Sequence, residues 1–236
     1  MNDRIAKQRL NVILLVDCST SMRGERISQV NNALYDIKRH LVAMQDENSN
    51  VDFYITVITY STDARLLNND KMKPVAEFRF NDIKAGGWSN LHLGYEKLTA
   101  LLKKESQGGI MPDFGGVAPI IISLTDGHPT KWPMREETDA LRKLPWFKVA
   151  IKYGIAIELS DRRTMDVLRE FVSGNGDVIE CYDSKLLERI IKIIVLTASK
   201  VKSTSASVHS QANLSVTQEI QQKVQESLTE VDDWDW

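Results

Sequence analysis

The chain has 236 residues, a formal net charge of −2, 42% hydrophobic residues and 26% charged residues. This composition excludes a disordered polyelectrolyte and suits one sizeable α/β domain with an appendage. The charge balance gives no attraction for nucleic acid or an anionic membrane. Two cysteines, Cys18 and Cys181, are too few for a disulfide framework or a four-thiolate zinc cage.

The first ten residues, "MNDRIAKQRL", are polar and lack the sections of a secretory signal. No apolar run reaches the length of a membrane-spanning helix. The expectation is a reduced, cytoplasmic protein. "NVILLVD" (11–17) is a continuous aliphatic run and predicts a strand buried on both faces. A helix is expected from Glu25, with Ile27, Val30, Leu34, Ile37, Leu41 and Met44 on one face. "VDFYITVITYS" (51–61) is β-branched and aromatic, a second strand. Pro74 and "NND" punctuate residues 64–80, which suits a hairpin-like edge. Ser89 and Asn90 open a second helix running to Lys104, with Leu91, Tyr95, Leu98 and Leu102 as its apolar face.

A glycine-rich loop, "SQGGIMPDFGG", precedes the aliphatic strand "VAPIIISLTD" (117–126). Then come a helix over 134–144, the strand "KVAIKYGIAIE" and a helix from Arg162 to Val172. The strand "DVIECY" and a helix from Ser184 to Lys200 complete the domain. Strands alternating with helices predict a Rossmann-like, doubly wound, mostly parallel sheet with helices on both faces. The expected organisation is a domain over 1–200, a flexible linker over 201–213, and a short helical, acidic-aromatic tail over 214–236. From Lys200 onward the chain has three basic residues against six acidic ones and ends in "DDWDW".

In open α/β sheets, ligands sit beyond the carboxyl ends of the strands, where strand order reverses. Asp17 and Asp126 end two aliphatic strands, and they converge there if those strands are neighbours. Ser19 and Ser21 follow Asp17, and Ser89 precedes the second helix, so three hydroxyls can join them. Two carboxylates and three hydroxyls form a hard-oxygen set suited to Mg²⁺, with Mn²⁺ or Ca²⁺ as alternatives, and unsuited to zinc. A coordination position left over would accept a carboxylate from another protein.

These residues carry a resemblance. "DCSTS" matches the D-x-S-x-S signature of von Willebrand factor A (VWA) domains, "GGWSN" falls at their Gly-rich Ser/Thr loop, and "LTDGHPT" at their later aspartate. The resemblance covers about residues 10–200 and implies the family's metal-ion-dependent adhesion site at Asp17, Ser19, Ser21, Ser89 and Asp126. "DCSTSMRGERISQVNNAL" is also similar to the TerY-type tellurite-resistance subfamily. That likeness implies a non-enzymatic, cytoplasmic, metal-dependent adaptor working with a protein kinase and a PP2C-like phosphatase in a stress or defence system.

Other readings stay open beside it. Asp17, Ser19 and Ser21 would also make a helix cap and turn. His92 and His128 follow two of the motifs, so a hydrolase or phosphatase using Asp17 or Ser19 competes, although no Gly-x-Ser-x-Gly elbow is present and no orienting acid is evident. Both histidines read more simply as solvated rim residues. Trp88 fits either the core or an interface anchor. Asp232, Asp233, Trp234, Asp235 and Trp236 suit a linear motif that docks into a partner, offers a carboxylate to the metal site, or drives self-assembly.

Overall fold

The computed structural model describes residues 7–47, 51–158, 161–173, 176–199 and 218–227. The described strands are β1 (Gln8–Asp17), β2 (Val51–Tyr60), β3 (Ala64–Leu66), β4 (Lys73–Pro74), β5 (Ile120–Thr125), β6 (Ile151–Ile157) and β7 (Gly176–Cys181). The helices are α1 (Glu25–Glu47), α2 (Leu91–Leu101), α3 (Arg135–Lys143), α4 (Pro145–Val149), α5 (Arg162–Val172), α6 (Ser184–Ser199) and α7 (218–227).

The sheet runs β3-β2-β1-β5-β6-β7, with β4 pairing β2 from outside this path. β1 lies between β2 and β5, parallel to both, with Val16 opposite Leu124. The chain crosses from one side of β1 to the other between β2 and β5, so the reversal point is the gap between β1 and β5. Alternation explains the unbroken aliphatic run. Leu10, Val12, Leu14 and Val16 join the core beneath α1, α6 and α7, whereas Ile13 and Leu15 join the core beneath α2, α3, α4 and α5. A strand covered on both faces needs apolar side chains at every position. The fold is thus the expected α/β sandwich.

Several boundaries differ from expectation. Residues 64–80 do not pair as a hairpin; β3 and β4 each pair antiparallel with β2. Lys148 and Val149 belong to α4, not to the following strand. Pro145 opens that short helix, and Lys152 reaches back from β6 to donate to the Phe147 and Ala150 carbonyls at its end. The second helix is shorter at both ends, which leaves Ser89 in the preceding loop.

α7 packs onto the domain. Ile220 and Val224, one helical turn apart, are buried in the α1/α6 core. Gln221 donates to Asp177 at 2.9 Å and Arg189 of α6 donates to the Ser227 hydroxyl at 3.3 Å. Residues 201–213 and the acidic-aromatic end, including Asp232, Asp233, Trp234, Asp235 and Trp236, lie outside the described residues. Truncating the fully buried Ile220 to alanine should destabilise the protein by about 2–5 kcal/mol. A urea midpoint equal to wild type would show that the α7 contacts do not contribute to folding.

Candidate metal centre

The three loops at the carboxyl end of β1 and β5 are stitched together by backbone and hydroxyl contacts. After Asp17 the chain makes a 3-10 turn over Thr20–Met22, held down by the buried Met22 side chain. The Thr20 N–H donates to the Gly87 carbonyl at 3.0 Å, and the Gly86 N–H donates to the Cys18 carbonyl at 2.8 Å. The Gly-rich loop therefore lies directly against the loop after β1. Gly87 has φ +92°, and a Cβ there would sit 2.4 Å from the Thr62 hydroxyl, so only glycine fits. The third loop joins through the Thr130 N–H, which donates to the Ser89 carbonyl at 2.8 Å.

Within this frame all five sequence-predicted oxygen residues meet. Asp17 Oδ1 accepts the Ser19 N–H at 2.8 Å, and Asp17 Oδ2 accepts the Ser89 hydroxyl at 3.0 Å. Ser19 and Ser21 hydroxyl oxygens are 3.0 Å apart, and Ser21 donates to Asp126 Oδ1 at 2.8 Å. Since Ser21 has one proton and gives it to Asp126, Ser19 is the donor in the serine pair. Ser19 occupies the cap position of the short turn yet makes no side-chain capping bond. A cap-and-turn role does not account for its hydroxyl.

Asp17 is completely buried. Burial raises its carboxyl above the ordinary value; hydrogen bonds from Ser19 and Thr125 oppose the shift, and the nearby Asp126 charge adds to it. Among the described residues no cationic side chain pairs with Asp17. Oxygens converge here around an uncompensated negative charge, as a hard divalent cation requires. Among the described residues no cluster of three or more His, Cys, Asp or Glu is placed to hold a metal, so a histidine- or thiolate-based centre is not built here. The residues present fit a hard cation such as Mg²⁺.

Three participants escaped the sequence reading. Thr125 Oγ1 lies 2.9 Å from Asp17 Oδ2. Arg26, in the first turn of α1, donates to Asp126 Oδ2 at 2.7 Å and to the Ser21 carbonyl at 3.1 Å. Its Nε donates to Glu158 Oε2 at 2.6 Å. Glu158 was recoverable, because it follows β6 as Asp126 follows β5. Arg26 was masked by its place beside Ile27 on an otherwise ordinary amphipathic helix.

Two expectations about the histidines need correction. His128 does have an acid behind it, with Nδ1 2.9 Å from Asp161 Oδ2. Asp161 is the N-cap of α5, 33 residues away in sequence, where it also accepts the Thr164 N–H at 2.7 Å. No serine in the cluster donates to an imidazole, since Ser19, Ser21 and Ser89 give their protons to Ser21, Asp126 and Asp17. The activated-nucleophile geometry of a serine hydrolase is therefore not formed here. His128 is exposed, as expected of a rim residue, whereas His92 is half-buried, and its Nδ1 is shut off from solvent without a hydrogen-bond partner.

Trp88 is 68% exposed, so it is a surface residue and not core. Its N–H donates to the Thr62 hydroxyl at 3.2 Å, which fixes the backbone while the indole meets solvent. Trp132, also exposed, projects from the loop tied to Ser89 through Thr130. The Cys18 side chain turns away from the oxygens to donate to the Tyr60 carbonyl at 3.2 Å, and burial pushes its thiol up to about 11. It is a packing residue, not a reactive thiol.

Comparisons with known proteins agree with this architecture. Bovine (Bos taurus) inter-alpha-trypsin inhibitor heavy chain H4 is 32% identical over 123 residues, which cover 51% of this chain and 13% of that protein. Heavy chain H1 from Sus scrofa is 30% identical over 130 residues, covering 54% and 14% respectively. The chain thus matches only a small part of those relatives. A von Willebrand factor type A protein from Catenulispora acidiphila superimposes with a TM-score of 0.60 at 13% identity, over 81% of this chain and 43% of that one. BatB from Bacteroides thetaiotaomicron gives a TM-score of 0.51 at 15% identity, over 81% of this chain and 99% of that one. At these identities the likeness is one of fold. The sequence model of the von Willebrand factor type A domain matches residues 11–192, and the chain belongs to that family.

Proposed function

We propose that this protein is a divalent-metal-dependent, non-enzymatic binding module that captures an acidic side chain of a partner protein. Domains of its family are generally protein-binding, adhesion-type modules. The observation that carries the reading is the meeting of Asp17, Ser19, Ser21, Ser89 and Asp126 in one hydrogen-bonded cluster at the sheet reversal point. These five residues would hold a Mg²⁺, or Mn²⁺ or Ca²⁺, whose remaining coordination position attracts a carboxylate. The serine hydroxyls contribute oxygen without adding negative charge. Asp17 sets the register of the cluster, because its two oxygens hold the Ser19 backbone and the Ser89 side chain at once.

Trp88 supplies an apolar anchor beside the cluster. An exposed indole on a pinned backbone loses little conformational freedom when a partner covers it. By its resemblance to the TerY-type subfamily, the partner is a component of a kinase and PP2C-phosphatase pair in a bacterial stress system, and the setting is the cytoplasm. The tail carrying Asp232, Asp233, Trp234, Asp235 and Trp236 is a second docking element in this reading, acting as a linear motif.

Capture of the partner should be lost in EDTA and in Asp17→Asn, and should weaken about tenfold or more in Trp88→Ala, as hot-spot aromatics do. Pull-down that is indifferent to EDTA would count against the metal. Turnover of p-nitrophenyl phosphate that disappears in Ser19→Ala would instead favour the hydrolase.

Asp17 also links stability to pH. Its raised carboxyl pKa means that its contribution is complete below the unfolded pKa and is lost as pH rises through the folded pKa. In EDTA at neutral pH, Asp17→Asn should therefore melt no lower than wild type. Mg²⁺ should raise the wild-type melting temperature and leave the variant unmoved. A variant markedly less stable in EDTA, or still responsive to Mg²⁺, would contradict this assignment.

A further inference from the structure

Arg26 occupies an unusual position for a residue outside the oxygen set. One guanidinium nitrogen, Nη1, lies 2.7 Å from Asp126 Oδ2 and 3.1 Å from the Ser21 carbonyl, while Nε lies 2.6 Å from Glu158 Oε2. It therefore touches the backbone of one serine of the cluster and the side chain of one of its carboxylates, and is tied on the far side to a third carboxylate. The Asp126 side chain is almost wholly buried, and Arg26 is its cationic partner among the described residues. Glu158 is itself held by the fold: its N–H donates to the Cys181 carbonyl at 2.7 Å, and its backbone sits at φ +62°.

Asp126 is thus gripped from both sides, with Oδ1 accepting the Ser21 hydroxyl and Oδ2 the guanidinium. A planar fork bridging two carboxylates fixes their orientation in a way that a lysine ammonium cannot. Its charge matters as much as its shape. Asp17, Asp126 and Glu158 against Arg26 leave two negative charges, which one divalent cation cancels. With Arg26 gone, the loaded cluster would stay net negative and oppose an incoming acid. With Arg26 in place, the free protein holds a cation less tightly, and the loaded site does not repel a carboxylate.

We propose that Arg26, braced by Glu158, sets the charge of this site. It competes electrostatically with the divalent cation in the free protein and favours the partner's carboxylate once the cation is bound. The inference rests on the metal-dependent reading above and concerns a residue outside the five that would hold the ion.

The test is calorimetric titration of Mn²⁺ alone into the full chain, for wild type, Arg26→Gln, Arg26→Lys and Glu158→Gln, each with its melting temperature recorded in EDTA. Removing a positive charge at this range should tighten Mn²⁺ binding about tenfold in Arg26→Gln. Glu158→Gln, which removes a negative charge, should weaken binding, and Arg26→Lys should stay nearer wild type than Arg26→Gln. Opposite shifts in the two neutralising variants distinguish charge-setting from a purely structural role, under which both would loosen Asp126 and weaken binding. Wild-type uptake of Mn²⁺ with equal or weaker binding in Arg26→Gln overturns the role of Arg26 and leaves the metal reading standing. No uptake by any of the four proteins overturns both.

Discussion

A carboxylate wholly withdrawn from water, at the end of the central strand, is the constraint around which this molecule is arranged. Burying an ionised group is costly unless hydrogen bonds and opposite charge offset it. Asp17 receives the first kind of help from the Ser19 N–H, the Ser89 hydroxyl and Thr125, and no cationic side chain among the described residues supplies the second. β1 is flanked on both sides by parallel strands, and the loops after β1 and before α2, bonded to each other, close over its carboxyl end and bury Asp17. In the proposed function, this cost in the free protein is what a bound cation relieves.

Around Asp17 the second half of the arrangement follows from neighbouring strand ends. Asp126 leaves β5 and Glu158 leaves β6, so three adjacent parallel strands each deliver an acid to the same edge of the sheet. Like charges placed that close need a mediator, and Arg26 enters from the first turn of α1 to bridge two of them. The loops outside this charged centre carry the exposed indoles of Trp88 and Trp132. A charged centre with two exposed indoles on its loops combines electrostatic selection with apolar contact, the division of labour expected of a protein-binding surface.

Much of this was legible in the chain. Continuous aliphatic runs ending in aspartate identify central parallel strands and the edge where ligands gather, and serine at Ser19, Ser21 and Ser89 completes a hard-oxygen set. What escaped depends on contacts between residues distant in sequence. The His128 and Asp161 pair joins two loops 33 residues apart, and no local pattern marks it. The α4 turn hides inside an apolar stretch, because five residues are too few to show helical periodicity. α7 reads as a narrow apolar stripe in sequence, and only its packing shows Ile220 and Val224 as part of the core. Glu158 was within reach of the strand-end rule already applied to Asp17 and Asp126.

The most direct measurement of the central claim is a crystal of the full chain soaked in MnCl₂, with the anomalous difference map calculated at the manganese edge. One strong peak is expected within bonding distance of the Ser19 and Ser21 hydroxyls, between Asp17 and Asp126. A map without a peak there, or with manganese bound only elsewhere on the surface, would contradict it.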